Sequence, residues 1–333
     1  MSKVWTPDEI FNISNAYWQS CTLHTAVQLE IFTIVGEKKL SLSEIAERDS
    51  LNERSLKMLL DTLVAMELLV FDGKFYSNSQ SVNELLNKES LKYIGYIAIH
   101  HHNVMEPWWS LEEAIRTGKP VAAKIPLEPE GQELWWKALT EGMLSLAIGY
   151  ATYLAKQIDL SQYNTLLDLG GGPGTYAIQF CKHNPQLKAT VIDVPVNTAI
   201  AERTIARFEA AEQVKYIGDD FYTMEMKECF DIIWISHVIH GENETDTQKL
   251  VDKAVKHLNP NGILMIHDYF MNDDGTGPLH PALFSLNMLL VTKEGKSYGI
   301  SETMNILKRA GLKNVRHDQY GGELQSSIIM GTK

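Results

Sequence analysis

A chain of 333 residues, 44% of them hydrophobic, is long enough for two domains of about 150 residues, each with a buried core. Its formal net charge of −12 opposes binding to polyanions, because neutralising phosphates with Lys and Arg drives most nucleic-acid affinity, so no nucleic-acid partner is expected. The three cysteines, Cys21, Cys181 and Cys229, are odd in number and contain no C-x-x-C pair, which argues against a disulfide framework or a zinc site and reads as reduced core thiols.

The opening segment MSKVWTPDEI has no apolar signal core, and no run approaches the ~18 uninterrupted apolar residues of a spanning helix; no membrane partner and a cytoplasmic location are the expectation. From about Phe11 to Leu160 apolar residues recur three and four positions apart, as at Ala26, Leu29, Ile31 with Phe32, and Ile34 with Val35. This predicts an all-α first half with one small hairpin. Within it, Ser41 to Ser81 reads as a winged helix. LSLSEIAERDS is a capped short helix, Asn52 or Glu53 opens a second, and LLVFDGKFYSNS folds back through Asp72-Gly73. Residues 41–80 carry seven acids and four bases, and LNERSLKMLLDTLVAMELL offers few groups for phosphates or base edges, so the unit reads as a protein–protein surface. His100, His101 and His102 are successive residues on a predicted helix, about 100° apart, and cannot converge on one ion from one face. No metal site is expected there; one of the three is a candidate for the wall of a substrate cavity.

Around Tyr150 to Leu160 a long helix leads into a second half in which strand and helix patterns alternate: TLLDL, a helix from Thr175, ATVID, a helix from Asn197, VKYI, DIIWIS, a helix from Asp246, and ILMIHD. Right-handed crossovers then impose a parallel sheet with ligand sites at the carboxyl ends of its strands. The helix ISETMNILKRAG ends at Gly311, and KNVRHDQY and QSSIIMGT, separated by Gly321-Gly322, predict an antiparallel edge hairpin.

The most informative stretch is LLDLGGGPGTY, where an apolar strand runs into Asp168 and then into glycines at alternate positions, Gly170, Gly172 and Gly174, before a helix. Without side chains in the way, this backbone can turn tightly and meet a ligand closely, which marks a nucleotide-type pocket. The spacing D-x-G-x-G-x-G differs from the G-x-G-x-x-G of a pyrophosphate site, which disfavours a dehydrogenase. Two free ribose hydroxyls are best held by one ionised acceptor at the end of the next strand, and Asp193 closes LKATVID 25 residues after Asp168. After the third strand, IGDDFY presents Asp219 as an acceptor for an exocyclic amine and Phe221 as a flat apolar surface. The fourth strand ends in WISHVIHGENETD. His240 is the candidate general base, because an imidazole accepts a proton at neutral pH, whereas His237 reads as an ordinary hydrogen-bonded residue.

With those residues in place, the chain resembles the plant and bacterial small-molecule O-methyltransferases, the group that includes hydroxyindole, caffeate and phenazine methylating enzymes. The likeness spans nearly the full length, through DLGGGPGT, VIDVP, GDDF, SHVIHGENETD, NPNGILMIHD and FSLNMLLVTKEGKSYGISETMNILKRAGL in that order. It implies a mainly helical dimerisation domain over residues 1–155 and a Rossmann-like, doubly wound domain over 156–333. It further implies S-adenosylmethionine (SAM) held by Asp168, Gly170, Gly172, Gly174, Asp193, Val194, Asp219, Asp220, Phe221 and Ser236. A homodimer built through the N-terminal domains, His240 as the catalytic base, and an aromatic acceptor lined by Met105, Trp108, Met143, Asn287 and Met288 complete the implication. The chain departs from the pattern where the family commonly has an Asp after the catalytic histidine, here Gly241, and two orienting glutamates, here Ser297 and Met330. His240 is therefore expected to lack a carboxylate partner, which weakens a base. Two other functions stay open on this reading: C-methylation of an electron-rich ring or tetrapyrrole, and a non-catalytic SAM-binding regulator acting through the winged helix.

Overall fold

The computed structural model describes residues 3–90, 92–121, 128–321 and 325–333. The backbone divides into two units, one of Met1–Met105 with Pro126–Ser145 and one of Glu106–Ile125 with Leu146–Lys333. The long helix expected near residue 150 runs Pro129–Gln157, and the division falls within it.

The first unit is helical, and its ends are set by side-chain caps. The helix Pro7–Asn15 opens on a capping box of Thr6 with Glu9, Leu42–Arg48 on one of Ser41 with Glu44, and Glu53–Ala65 on Asn52. A short antiparallel hairpin follows, β1 (Val70–Phe71) and β2 (Tyr76–Ser77), closed where Asp72 accepts the N–H groups of Lys74 and Phe75. The apolar stripe buries Ala26, Ile31, Phe32 and Val35, joined by Ile45, Leu56, Leu60 and Leu63. The stripe is not one helix: Glu30 takes a left-handed conformation (φ 50°) between Tyr17–Gln28 and Ile31–Val35, leaving Leu29 and Ile34 half-buried. Trp5, Ile10, Phe11, Ile13 and Trp18 remain exposed. His24 and His100 are pushed down to about 4, first by burial and then by His101, which keeps them neutral near pH 7.

The second unit is a seven-stranded sheet. Its strands are β3 (Thr165–Leu169), β4 (Lys188–Asp193), β5 (Val214–Gly218), β6 (Phe230–Ser236), β7 (Leu258–Asp268), β8 (Lys313–Asp318) and β9 (Ser327–Thr332). They lie in the order β5-β4-β3-β6-β7-β9-β8, with the first five parallel and β9 antiparallel to both neighbours. The tail is thus the antiparallel edge pair read from its two β-like runs; Gly322 of its connection lies outside the described residues. Both faces are covered, so the strands are nearly continuous apolar runs. Leu166, Val191, Ile232, Trp234 and Met265 pack on the face shared with the helix Thr175–His183. Leu167, Leu169, Ile233, Ile235 and Leu264 pack on the face of Glu244–Lys256 and Ile300–Arg309. One expectation fails here: Cys181 is buried, but Cys21 is half-buried and Cys229 exposed, so only the first is a core thiol. Cys229 sits in the loop before β6, outside the alternating run that carries its neighbours inward.

Strand order reverses between β3 and β6, which leaves a crevice at their carboxyl ends. Every residue of the second unit assigned to chemistry from the sequence, Trp108 excepted, stands near this rim or on the helix Leu279–Val291.

Candidate active site

The glycine run leaves β3 and turns under the segment that leaves β6. Gly170 has φ +69°, and a Cβ there would stand 2.5 Å from Val238 Cγ2 and 3.5 Å from the Phe221 ring. Only glycine fits that combination of left-handed backbone and close neighbour. Next to it, the N–H of Gly172 donates to Asp193 Oδ2 at 2.7 Å, while Asp193 Oδ1 accepts from Val194 N–H (2.7 Å) and Asn197 Nδ2 (2.9 Å). The strand-end carboxylate is thereby aimed by three donors and tied to the glycine loop.

Asp168 is fully buried, and neither of its oxygens has a hydrogen-bond partner. Burial, with Asp193 beyond it, pushes its carboxyl up to about 8. The sign of the linkage follows. Between about pH 4 and 8 the folded chain keeps a proton that the unfolded chain has lost, so stability falls as pH rises, by at most about 1.4 kcal/mol per unit. Asp168→Asn, which mimics the protonated acid, is expected to gain on the natural protein in melting temperature steadily from pH 5 to pH 8. Parallel melting curves across that range would contradict a neutral Asp168.

On the adenine side, Asp219 donates its N–H to the Asp193 carbonyl (2.9 Å), but the Asp220 carboxylate is turned on its own loop, accepting from Tyr222 N–H and Thr223 Oγ1 at 2.9 Å each. Lys253, unremarked in the sequence, holds that loop. Its ammonium donates to the carbonyls of Phe221 (2.8 Å), Tyr222 (3.0 Å) and Met224 (2.6 Å), fixing the ring that covers Gly170. The Ser236 hydroxyl is engaged with His267 Nδ1 at 2.9 Å. His267 is buried with Ser326 on its other nitrogen (2.9 Å), and burial, with His237 nearby, holds it far below the ordinary imidazole value.

The expectation that His240 lacks a carboxylate is wrong. Its Nδ1 lies 2.8 Å from Asp268 Oδ1, at the tip of the adjacent strand β7. Burial works against ionisation of Asp268, yet the His240 imidazole and then the His237 ring hold its carboxyl well below the ordinary carboxylate range. Ser297 and Met330, the residues read from the sequence as replacing the glutamates, are spent elsewhere: Ser297 Oγ donates to the Pro281 carbonyl at 2.8 Å, and Met330 is a core residue of β9. Asp268 carried a readable signal, since it ends an apolar strand as Asp193 does. What was missing was the knowledge that β6 and β7 are neighbours.

His237 Nδ1 also faces Asp268 Oδ1, at 3.4 Å. Among the described residues this is the one set of three imidazole or carboxylate groups whose donor atoms approach within 4.8 Å of one another, and His100, His101 and His102 form none. His240 Nδ1 is hydrogen-bonded to the carboxylate oxygen, and His237 Nδ1 stands at the longer, ion-pair distance.

Phe284 stands edge-on to the His240 ring (centroids 4.7 Å, 82°) and against Tyr269 (4.8 Å). Three residues expected in an acceptor wall belong to this unit: Trp108 Nε1 donates to Asn287 Oδ1 at 3.2 Å, and Met288 is buried on the same helix. Met105 and Met143 are half-buried residues of the first unit.

The glycine cradle, with its left-handed Gly170 and a strand-end acid bonded to the loop, fits an adenosyl nucleoside. Comparison with known proteins agrees. Residues 129–313 match the O-methyltransferase domain, and residues 11–88 match the O-methyltransferase dimerisation domain. The tetracenomycin polyketide synthesis 8-O-methyl transferase TcmO of Streptomyces glaucescens is 29% identical over 98% of this chain and 97% of that protein. The 3-hydroxy-5-methyl-1-naphthoate 3-O-methyltransferase of Streptomyces sahachiroi is 26% identical over 98% and 95%. The human N-acetylserotonin methyltransferase in complex with SAM superposes with a TM-score of 0.85, at 22% identity, over 100% of this chain and 99% of that one. Among the described residues no helix is long and apolar enough to cross a membrane. The chain belongs to the SAM-dependent O-methyltransferase family.

Proposed function

We propose that this enzyme methylates a phenolic hydroxyl of a flat aromatic small molecule, with His240 as the general base. The observation that carries the reading is the His240–Asp268 pair, placed on the strand-tip rim that also bears the glycine cradle. When bound, SAM supplies an electrophilic methyl on a sulfonium that leaves as a neutral thioether. With Nδ1–H donated to Asp268, His240 presents the lone pair of Nε2, which takes the acceptor's hydroxyl proton. Asp268 fixes that tautomer and steadies the imidazolium that forms. Phe284 lies beside the imidazole with Tyr269 packed against it, an aromatic cluster suited to an aromatic acceptor and to the exclusion of water. Positioning contributes about 7–11 kcal/mol in such reactions, against 10²–10⁴-fold in rate for the base.

For the nucleoside we assign Asp168, Gly170, Gly172, Gly174, Asp193, Val194, Asp219 and Phe221. Asp220 and Ser236 act one step back, through the loop and through His267. For the acceptor we assign Trp108, Asn287 and Met288. The names of two relatives, an 8-O-methyl transferase of tetracenomycin polyketide synthesis and a hydroxy-methyl-naphthoate 3-O-methyltransferase, support the substrate class. We take residues 1–155 as the dimerising part, its helix–helix–hairpin segment a winged-helix unit turned to protein contact. The exposed Trp5, Ile10, Phe11, Ile13 and Trp18 support a homodimer. C-methylation rested on a base without a carboxylate, and Asp268 removes that ground.

Incubation with methyl-labelled SAM and a panel of hydroxynaphthalenes and hydroxyindoles is expected to yield a product 14 Da heavier, with the label on oxygen. Label recovered on carbon or nitrogen alone, or on no acceptor although the demethylated nucleoside (SAH) binds, would overturn the reading.

A further inference from the structure

We propose that His237 is a positioning residue that shares the carboxylate of Asp268 with His240 and so lowers the proton affinity of the base. The inference rests on His240 acting as that base.

The crowding on one oxygen is the starting point. Asp268 Oδ1 faces His240 Nδ1 at 2.8 Å, the Tyr269 N–H at 2.8 Å and His237 Nδ1 at 3.4 Å, whereas the buried Oδ2 has no partner. A donor on an ionised oxygen draws charge from it, so each added donor weakens the hold of Asp268 on the imidazolium of His240. His237 reaches this oxygen in an uncommon way. Its backbone is left-handed (φ 55°), a conformation that strains a non-glycine residue and persists only where its surroundings enforce it. The enforcement is visible: its N–H donates to the His267 carbonyl at 2.9 Å, and its ring packs at 4.7 Å against both His267 and Tyr269.

Other charged groups around His240 are already engaged. On its own segment Glu242 accepts from Tyr222 Oη at 2.8 Å. From the strand β7, His267 is neutral with both nitrogens on serine hydroxyls. From the helix Leu279–Val291, His280 lies behind Tyr269, with its ring 4.6 Å from that phenol. From the segment that follows it, Glu294 accepts from Asn243 Nδ2 (2.9 Å), and Lys296 donates its backbone N–H to the His240 carbonyl (2.9 Å) while its ammonium pairs with Glu302 (2.6 Å). Asp268 is therefore the charge aimed at the imidazole, and His237 is the group that divides it.

The test compares kcat against pH for the natural enzyme, His237→Leu and His237→Asn. Leu removes the donor. Asn places an N–H where Nδ1 stood and is among the residues that best tolerate a left-handed backbone. The acid limb of the Leu variant is expected to move up by about 0.5–1 pH unit, the worth of one ordinary hydrogen bond, and Asn is expected to restore it. The same shift should appear in the His240 ring resonances on NMR titration, with SAH affinity unchanged. An acid limb that stays in place or moves down in His237→Leu, or Asn behaving as Leu does, would overturn the proposal. Should the Leu variant not fold, His237→Gln, whose amide cannot sit where Nδ1 did, takes its place with the same expectation. Full activity in His240→Ala would instead strike the base assignment itself, so the two failures are told apart.

Discussion

His240→Ala is expected to lose about 10²–10⁴-fold in kcat while binding SAH as the natural enzyme does. The imidazole lies on β6's exit, past the glycine cradle, and makes no hydrogen bond to that loop, so its removal touches the proton transfer and not the nucleoside. Asp268→Asn is expected to cost nearly as much. An amide in its place can offer its N–H to Nδ1 and favour the wrong tautomer, with the lone pair turned inward and away from the acceptor. Because the two side chains act as one unit, the double variant should be little worse than either single one. Steady-state kinetics on the four proteins, with SAH affinity measured by calorimetry, checks both statements. Losses that multiply in the double variant would mean that Asp268 serves something other than His240.

Gly170→Ala is the second large effect, and it falls on binding instead of chemistry. The new methyl would meet Val238 Cγ2 at 2.5 Å, on a backbone at φ +69° where an L-residue is already strained by about 1–2 kcal/mol. Either the loop or the β6 exit has to move, and Phe221, 3.5 Å away, moves with them. SAH affinity is expected to fall at least about tenfold, the equivalent of ~1.4 kcal/mol of misplaced contacts. Gly118→Ala is the matched control. It shares the left-handed backbone (φ +65°), has no atom within 4 Å of the added carbon and lies outside the nucleoside site, so it incurs the strain without the collision. Equal affinities in the two variants would show that the approach of Val238 and Phe221 over Gly170 does not shape the nucleoside site. A drop in melting temperature common to both reports the strain, at about 2–4 °C per kcal/mol for a chain portion of this size.

The expectations drawn from sequence succeeded where a physical signal was local. TLLDL, ATVID and DIIWIS are short apolar runs bounded by turns, and each became a strand because the fold covers both faces of its sheet. Ser41 with Glu44 and Asn52 marked helix starts through caps that act within one turn. Two local readings still failed. The apolar stripe from Ala26 to Val35 concealed a break at Glu30, since periodicity does not report a single left-handed residue. Cys229 was placed in the core by residue type alone, although it precedes the strand and faces outward.

By itself the sequence determined the alternation of strand and helix, the glycine turn after the first strand of the sheet, and the acid that answers it one strand later, because these depend on neighbours within a few dozen residues along one β–α step. Only the tertiary structure decided what orients the base. His240 and Asp268 are 28 residues apart and meet because β6 and β7 lie side by side in register, a fact of sheet order that no spacing encodes. The bond from Trp108 to Asn287 spans 179 residues and joins two helices, a contact that likewise only the tertiary structure makes. A carboxylate sought at the positions of Gly241, Ser297 and Met330 was supplied instead by a neighbouring strand tip, since an imidazole responds to a charge within hydrogen-bond reach, whatever its place in the chain.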